Sequence, residues 1–412
     1  MNSSPAAVRR AIAVCALGYF IDIFDIQLFP VLRVPSLHEL GVSAKDLTQV
    51  AGNIINVQMF GMILGAFLWG WLGDRFGRLK ALYGSILLYS LGTIACGFVG
   101  DPGTYGVARF VTGFGLAGET GVAITLIAEM MPPETRGWGI VTISAFGFLG
   151  PVFAVLTSMF LPWRETYLAA GALGFLLLVL RLKLIEPAMF EKISRNKSAA
   201  HPFRLLLQKR QAGVLVACVV VGLPMVFCWN ILNFFSLEFS QAMLGDGEVF
   251  NQKTCLMLFY VGTSCGDAVS GAISQRWRSR RKAMASFLIA GALLTQAYLL
   301  LGPQLHMSVQ TLYGVYFLIG LAGGAWILFC MMAAEHFGTN VRATTSSTVV
   351  NLVRGSNILL VFTLQGFRQF ASLTTAAALL GAIAFMLGLT ALYFLKETHG
   401  ADLDYIETKA GS

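Results

Sequence analysis

Twelve apolar runs, each long enough to cross a lipid bilayer, follow one another along this chain of 412 residues. A transmembrane helix needs about 20 consecutive and mostly apolar residues. Only 12% of the residues are charged, whereas soluble domains carry about 25%. Because an isolated membrane-crossing segment must satisfy its backbone hydrogen bonds internally, the runs predict an all-α membrane protein with twelve transmembrane helices.

We number the predicted spans 1 to 12 in chain order. They cover residues 11–31, 49–72, 79–99, 105–130, 137–161, 166–182, 212–235, 254–273, 283–301, 309–334, 343–367 and 373–395. A polar segment divides them into two sets of six. We therefore expect a six-helix bundle over residues 1–185, a cytoplasmic linker over 186–211, a second six-helix bundle over 212–396 and a cytoplasmic tail over 397–412.

The distribution of lysine and arginine predicts the orientation. With the N-terminus in the cytoplasm, the cytoplasmic segments hold 22 of the 29 basic residues, and the outer loops hold five. Those five are Arg33, Lys45, Arg164, Lys253 and Arg368. Since cytoplasmic loops carry the excess of bases, both termini are expected in the cytoplasm, in a multi-pass protein of the cell inner membrane. The same sorting explains the net charge of +8, so we expect no nucleic-acid partner.

The two sets of spans repeat each other. Residues of spans 2 and 8 recur 201 positions apart: Gly61, Gly65, Gly70 and Arg75 as Gly262, Gly266, Gly271 and Arg276. A pair seven residues apart also recurs: Glu129 and Arg136 as Glu335 and Arg342. Parallel repeats of this kind are typical of transporters built from two related halves. Glycines four residues apart predict close helix packing.

The segment between spans 2 and 3, from Gly70 to Lys80, reads Gly-Trp-Leu-Gly-Asp-Arg-Phe-Gly-Arg-Leu-Lys. We expect a loop at the membrane face, because its charges do not belong in hydrocarbon. The segment resembles the loop between helices 2 and 3 of the major facilitator superfamily of transporters. Further stretches resemble that family: Arg109 with Gly113 and Gly115, Gly147 with Gly150 and Pro151, and Glu397 with Thr398 and Gly400. The resemblance covers essentially the whole chain. It implies two pseudo-symmetric six-helix bundles that expose a central site to each side in turn.

The resemblance also implies a cytoplasmic gate. In the superfamily, the counterpart of Asp74 meets the N-terminal end of helix 11 and latches the outward-facing state, and a positive helix end suits an acid. Arg75, Arg78, Glu129 and Arg136 would complete the gate. The alternative is that these charges only set the topology.

Charged residues inside the spans are candidate functional sites, because a charge at mid-bilayer costs about 3 kcal/mol or more. Asp22 lies near the middle of span 1, Asp25 follows three residues later, and Arg109 of span 4 lies at the depth of Asp25. We predict an Asp–Arg pair that switches protons, since a buried carboxylate separated from its arginine favours the proton. The stretch also resembles the Asp-Gly-(Phe/Tyr)-Asp of aromatic-acid:proton symporters, with Ile23 in place of glycine. The alternative is a static pair that joins spans 1 and 4.

Three further acids have open roles. Glu119 in span 4 and Asp267 in span 8 are each either a second proton site or an ion-pair partner. Glu238 is expected at the outer interface, in contact with solvent.

Arg354 lies about twelve residues into span 11, with Asn351 one turn before it, and spans 10 to 12 offer no acid at its depth. A guanidinium suits a carboxylate or phosphate, which it binds through two parallel hydrogen bonds. We predict that Arg354 binds an anionic group of the substrate; the alternative is a pair with an acid from another span. Gln27, Asn56 and Asn230 could line the same cavity.

Three aromatic residues on the spans, Phe24, Trp229 and Trp326, could stack on a planar substrate, although packing is the simpler interpretation of each. The five histidines lie in loops or at span ends, without metal-ligand spacing. No Walker-type phosphate loop or nucleophile elbow occurs. We therefore expect no metal, no other cofactor, no ATP-driven step and no enzymatic activity.

The sequence predicts a secondary transporter that imports a small organic anion with protons by alternating access. Its partners would be the small-molecule anion, protons and the lipid bilayer, and the resemblance implies that it works as a monomer. Other functions remain open on the same fold: export of a drug, metabolite or siderophore, import of a siderophore, or a sensor that binds ligand without transport.

Overall fold

A computed structural model describes residues 5–76, 78–119, 136–184, 209–245, 247–338 and 342–400. Within these ranges, the side chains of 5–11, 73–79, 136–141, 183–184, 209–210, 342–344 and 346–347 are not described. The regular elements in the described part are helices, and two backbone segments form one isolated bridge, Leu244 to Met307.

The first half contributes α1 (Pro5–Glu39), α2 (Leu47–Phe76), α3 (Arg78–Cys96), α4 (Pro102–Leu116), α5 (Arg136–Gly147), α6 (Gly150–Phe160) and α7 (Trp163–Leu184). The second half contributes α8 (Lys209–Val226), a π-helical turn (Phe227–Asn233), α9 (Ser236–Met243), α10 (Gln252–Trp277), α11 (Arg280–Leu305), α12 (Val309–Gly323), α13 (Trp326–Glu335), α14 (Arg342–Gly355), α15 (Asn357–Phe367) and α16 (Leu373–Phe394).

The helices match the predicted spans in order. In the described part, ten stretches are long and apolar enough to cross a membrane, and Lys80–Cys96 in α3 is a shorter apolar helix. α4 begins the predicted span 4, whose remainder lies outside the described residues from 120 onward. The all-helical, membrane-spanning fold class is therefore confirmed.

Four predicted spans are interrupted rather than continuous. Span 5 breaks between α5 and α6, where Pro151 in the first turn of α6 has no N–H to continue the helical bonding. Span 10 breaks between α12 and α13 beside Gly323 and Gly324, span 11 breaks at Ser356, and span 7 passes through the π-helical turn. Discontinuous helices are typical of binding regions in transporters.

The predicted loop from 70 to 80 is wrong in its extent. α2 continues to Phe76 and α3 begins at Arg78, so Asp74 and Arg75 end a helix instead of lying in a free loop. α2 has 30 residues, about 45 Å at ~1.5 Å per residue, and so exceeds the ~30 Å hydrocarbon core. Hydropathy locates the edge of the bilayer, and a helix continues past it into the headgroups.

The cytoplasmic gate stays a prediction. The side chains of Asp74, Arg75, Arg78 and Arg136 are not described, and Glu129 lies outside the described residues.

Helix α1 is also longer than predicted. It extends to Glu39, with Pro30 and Pro35 inside it, whereas the prediction ended the span at residue 31. Arg33 therefore lies in the helix and is fully buried, not in an outer loop. The polar and proline-bearing sequence beyond residue 30 imitates a helix end.

Glycines pack the related halves in the same way. An added Cβ at Gly65 would lie 2.2 Å from the carbonyl oxygen of Phe114, and one at Gly266 would lie 2.1 Å from that of Leu321. These glycines hold α2 against α4 and α10 against α12. The equivalent contacts confirm the close packing predicted from the glycine spacing.

The two halves meet along two helix pairs. α2 packs against α14, and α10 packs against α5 and α6. In terms of the predicted spans, span 2 meets span 11 and span 8 meets span 5. Arg354 lies on α14 and Asp267 on α10, so these two charged residues belong to the helices of this interface.

Candidate functional site

The charged residues predicted inside the spans are buried by protein. Asp22 and Arg109 are 0% exposed, Asp25 is 1% exposed and Arg354 is 6% exposed. The spacing of three residues places Asp22 and Asp25 on nearly the same face of α1. None of these side chains faces lipid, as a functional role in the membrane interior requires.

Asp25 is paired with an arginine of its own half. Arg109 Nη1 lies 3.2 Å from Asp25 Oδ1, and Arg109 Nη2 donates to the backbone oxygen of the same residue at 3.1 Å. The second carboxylate oxygen accepts from the Thr93 hydroxyl, and Arg109 Nε donates to Gln58 Oε1 at 3.0 Å. The predicted pair across spans 1 and 4 is confirmed, and it joins four helices of the first half.

Asp22 is paired with an arginine of the opposite half. Arg354 Nη2 lies 3.4 Å from Asp22 Oδ2, and this ion pair connects α1 to α14. The alternative left open by the sequence, in which Arg354 pairs with an acid from another span, is the observed arrangement. Asp22 thus neutralises the one position that the sequence assigned to an anionic substrate.

An aromatic cluster lies beside Arg354. Its guanidinium carbon lies 5.8 Å from the ring centroid of Trp326, and Trp326 Nε1 donates to the Tyr19 hydroxyl at 2.8 Å. The Trp229 ring is 4.9 Å from Trp326, and the Phe148 ring is 5.4 Å from Trp229. The first half contributes Tyr19 and Phe148, and the second half contributes Trp229 in the π-helical turn and Trp326 at the start of α13. Phe24, the third predicted aromatic residue, stacks along α1 instead.

The predicted substrate-binding amides are dispersed around the interface. Asn351 Nδ2 donates across the halves to a backbone oxygen just after α4, at 3.2 Å. Asn357 Nδ2 donates to Asn56 Oδ1 at 3.3 Å, also across the halves. Gln27 is buried in α1, and Asn230 is half-buried in the π-helical turn. Asn56 and Asn351 therefore join the halves in this conformation.

Glu119 is paired inside the first half. Arg181 Nη2 lies 2.6 Å from Glu119 Oε1, and both side chains are buried. The pair packs against Gly18 of α1, where an added Cβ would lie 1.7 Å from Arg181 Nη2. Arg181 lies at the cytoplasmic end of predicted span 6 and is counted there among the cytoplasmic bases, but in α7 it is buried. This geometry favours the ion-pair alternative for Glu119.

Asp267 binds a helix start and a hydroxyl. Its Oδ1 accepts from the backbone N–H of Ile327 in the first turn of α13 at 3.1 Å, and its Oδ2 accepts from the Ser144 hydroxyl. The positive end of the α13 dipole favours a carboxylate there. Among the described side chains, no lysine or arginine lies within ion-pair distance of Asp267. The contact with Ser144 crosses between the halves.

Glu238 is not the solvated residue that the sequence predicted. Arg33 donates to both of its carboxylate oxygens, at 3.0 and 2.9 Å, and Thr48 Oγ1 donates at 3.0 Å. The Arg33 guanidinium also lies over the Phe234 ring, 4.6 Å from its centroid. This bidentate pair joins α1 to α9 near the predicted outer face. Little in the sequence indicates this pair, because 205 residues separate Arg33 from Glu238.

A second charged cluster lies at the predicted cytoplasmic face of the second half. Arg280 pairs with Glu335 at 3.4 Å, and the backbone N–H of Arg280 donates to Glu397 at 2.8 Å. Burial opposes ionisation of Glu397, but hydrogen bonds from the Ser279 hydroxyl and from backbone N–H groups, including that of His399, outweigh it. They lower the pKa of Glu397 to about 2. The partners described for this cluster all belong to the second half.

Comparisons with known proteins agree with this geometry. The family model of the Major Facilitator Superfamily matches residues 15–361. A Bacillus subtilis (strain 168) protein provisionally named niacin/nicotinamide transporter NiaP is 28% identical over 378 residues, covering 88% of this chain and 90% of that protein. The gentisate transporter of Corynebacterium glutamicum is 26% identical over 417 residues, covering 95% of this chain and 89% of that protein.

A solved structure has the same fold. The proton:xylose symporter XylE, bound to 6-bromo-6-deoxy-D-glucose, matches with a TM-score of 0.69 at 14% identity and covers 98% of both chains. The family consists of transporters and not of enzymes. This chain, a multi-pass membrane protein, belongs to the major facilitator superfamily.

Proposed function

We propose that the protein imports a small organic anion together with protons across the inner membrane, by alternating access between two six-helix bundles. The observation that carries the proposal is the buried pair of Asp22 and Arg354, which joins the two halves at a depth that the sequence predicts to be near mid-membrane. Two of its relatives are named as transporters of niacin or nicotinamide and of gentisate. Niacin and gentisate are small aromatic carboxylic acids.

Binding of the anion exchanges one carboxylate for another. Arg354 Nη2 lies 3.4 Å from Asp22 Oδ2, a long ion-pair distance, whereas a planar guanidinium can bind a carboxylate through two parallel hydrogen bonds. A substrate carboxylate would bind Arg354 through two parallel hydrogen bonds and displace Asp22. The aromatic ring of the substrate would then contact Trp326 and its neighbours, which offer flat apolar surfaces for stacking.

The displaced carboxylate takes the proton. Once Arg354 binds the substrate, Asp22 loses the positive charge of Arg354 while it stays buried, and burial favours the neutral form of an acid. Substrate binding and proton uptake are thereby coupled at one position. One proton moving with one monovalent anion transfers no net charge, so the pH gradient drives import, at about 1.4 kcal/mol per pH unit.

The other charged residues would support this exchange. Asp25 is the second candidate for the proton, but its arginine lies in the same half, so rocking of the halves leaves Arg109 beside it. Arg33 and Glu238 would close the outer side. Asp74 and the four charges predicted with it would form the opposite, cytoplasmic gate.

A ligand screen tests the proposal on the purified protein. Nicotinate should raise the melting temperature, and nicotinamide, which has the same ring without the charge, should not. The nicotinate effect should disappear in Arg354→Ala. Uptake into proteoliposomes should then require an inward-directed proton gradient, with the outside more acidic. Transport assays in right-side-out vesicles would separate import from export. Stabilisation by nicotinate that persists in Arg354→Ala would contradict the assignment of the anion to Arg354.

A further inference from the structure

A cavity of about 400 Å³ opens between the two halves at the predicted outer face. Its first-half wall includes Lys45, Thr48 and Gln49, from the start of α2 and the segment before it. Its second-half wall includes Gln365 and Arg368, at the end of α15. Small-ligand sites have volumes of about 300 to 1,000 Å³, so the cavity has room for a small organic molecule.

The basic residues of this face divide into two groups. Five lysines and arginines were assigned to the outer side by the sequence. Arg33 and Arg164 each pair with a glutamate, at 2.9 and 3.0 Å, and Lys253 Nζ donates to a backbone carbonyl oxygen at 2.7 Å. Lys45 and Arg368 form no ion pair with any described side chain, and both line the cavity.

The one acid among the described residues of the cavity wall does not cancel these charges. Glu238 lines the cavity, but both of its carboxylate oxygens already accept from the buried Arg33. Lys45 and Arg368 are exposed and line the cavity from opposite halves. The cavity therefore carries a net positive charge, with glutamine amides as additional hydrogen-bond donors. This lining suits a carboxylate.

We propose that the cavity is a capture site, where Lys45 and Arg368 bind the carboxylate of the substrate before the halves open. The proposal rests on the proposed function, because its ligand is the imported anion and its face is the predicted outer one. A charged cleft raises the local concentration of its ligand and can increase association rates by 10-fold or more. Opening of the halves would separate Lys45 from Arg368 and free the anion to move inward.

Salt dependence of uptake tests the capture site. Initial rates of nicotinate uptake would be measured at about 0.01 M and about 1 M salt, where the Debye length is about 30 and 3 Å. In the double variant Lys45→Gln/Arg368→Gln, KM at low salt should rise about tenfold with kcat unchanged. At high salt, the variant and the unmodified protein should converge. Lys45→Arg/Arg368→Lys should keep the low KM.

Arg164→Gln is the matched control, because it removes a base from the same face outside the cavity. Its KM should stay unchanged. If Arg164→Gln and the double variant raise KM equally, the cause is the general surface charge, and the proposal is overturned. So would an unchanged KM in a double variant that keeps its melting temperature. If the unmodified protein takes up no organic anion, the proposed function itself fails, and the capture site fails with it.

Discussion

Two carboxylates on one helix, three residues apart, have opposite arrangements. Every described partner of Asp25 belongs to the first half of the chain, whereas Asp22 pairs with Arg354 of the second half. A pair inside one bundle keeps its geometry when the bundles rock, and a pair across them must break. A buried pair that crosses the halves can therefore change with the conformation, whereas a buried pair inside one half only stabilises that bundle.

The same division extends through the molecule. Glu119 with Arg181 and Arg280 with Glu335 are internal pairs. Arg33 with Glu238 is a crossing pair. We expect substitutions in internal pairs to change stability and substitutions in crossing pairs to change transport. The predictions below test this division, in order of decreasing effect on coupled transport.

Asp22→Asn should abolish accumulation of substrate against its gradient. The amide cannot take up a proton, so the pH gradient loses its coupling to transport, while Arg354 still binds the anion. Exchange of labelled for unlabelled substrate should continue in the same proteoliposomes. A variant that still accumulates substrate would remove Asp22 from the coupling step.

Arg354→Lys should weaken binding of an aromatic carboxylate by about 10- to 100-fold. A lysine keeps the charge but loses the planar fork, and a hydrogen bond to a charged group contributes about 1.5 to 3 kcal/mol. Calorimetric titration measures the dissociation constant directly. Unchanged affinity would show that the substrate binds elsewhere.

Glu238→Gln should open the predicted outer side. Loss of this crossing pair should raise the equilibrium constant for separation of the halves about tenfold or more. A hydrogen bond to a charged group contributes about 1.5 to 3 kcal/mol. A cysteine placed at Ser158, whose backbone oxygen accepts from Lys253, should react correspondingly faster with a membrane-impermeant maleimide. The background would carry Cys265→Ser, because Cys265 is exposed. Glu119→Gln, in an internal pair, should leave the reaction rate unchanged.

Asp25→Asn should destabilise the protein but keep coupling. The substitution leaves Arg109 buried without its counter-charge, and breaking a buried pair from one side costs about 3 to 5 kcal/mol. The melting temperature should fall, while accumulation per folded molecule stays close to that of the unmodified protein. Loss of accumulation in the folded fraction would move the proton site from Asp22 to Asp25.

Glu397→Gln should lower the stability of the protein above about pH 5 and leave it unchanged near pH 2. The pKa of Glu397 falls from an ordinary 4.5 to about 2 in the fold. Its stabilising effect is therefore present above about pH 4.5 and is lost as the pH falls towards 2. Melting temperatures of the variant and the unmodified protein should differ most above pH 5 and converge near pH 2. A difference in melting temperature that does not change with pH would show that the substitution acts through packing and not through the charge of Glu397.

The sequence predicts depth in the membrane better than lateral position. Counting along spans places Arg109 at the level of Asp25, and their pair follows. The pairing of Asp22 with Arg354 joins residues 332 positions apart, and only the packing of the two halves against each other decides it. The extent of α2 past residue 72 was missed for a related reason, since hydropathy marks the edge of the bilayer and not the end of a helix.

Proton uptake on ligand binding measures the exchange at Arg354 most directly. Purified protein in weakly buffered solution near neutral pH would be mixed with nicotinate, and a pH indicator would record the protons taken up. We expect about one proton per bound nicotinate, none with nicotinamide and none in Asp22→Asn. Nicotinate binding without proton uptake, or with equal uptake in Asp22→Asn, would contradict the exchange of carboxylates.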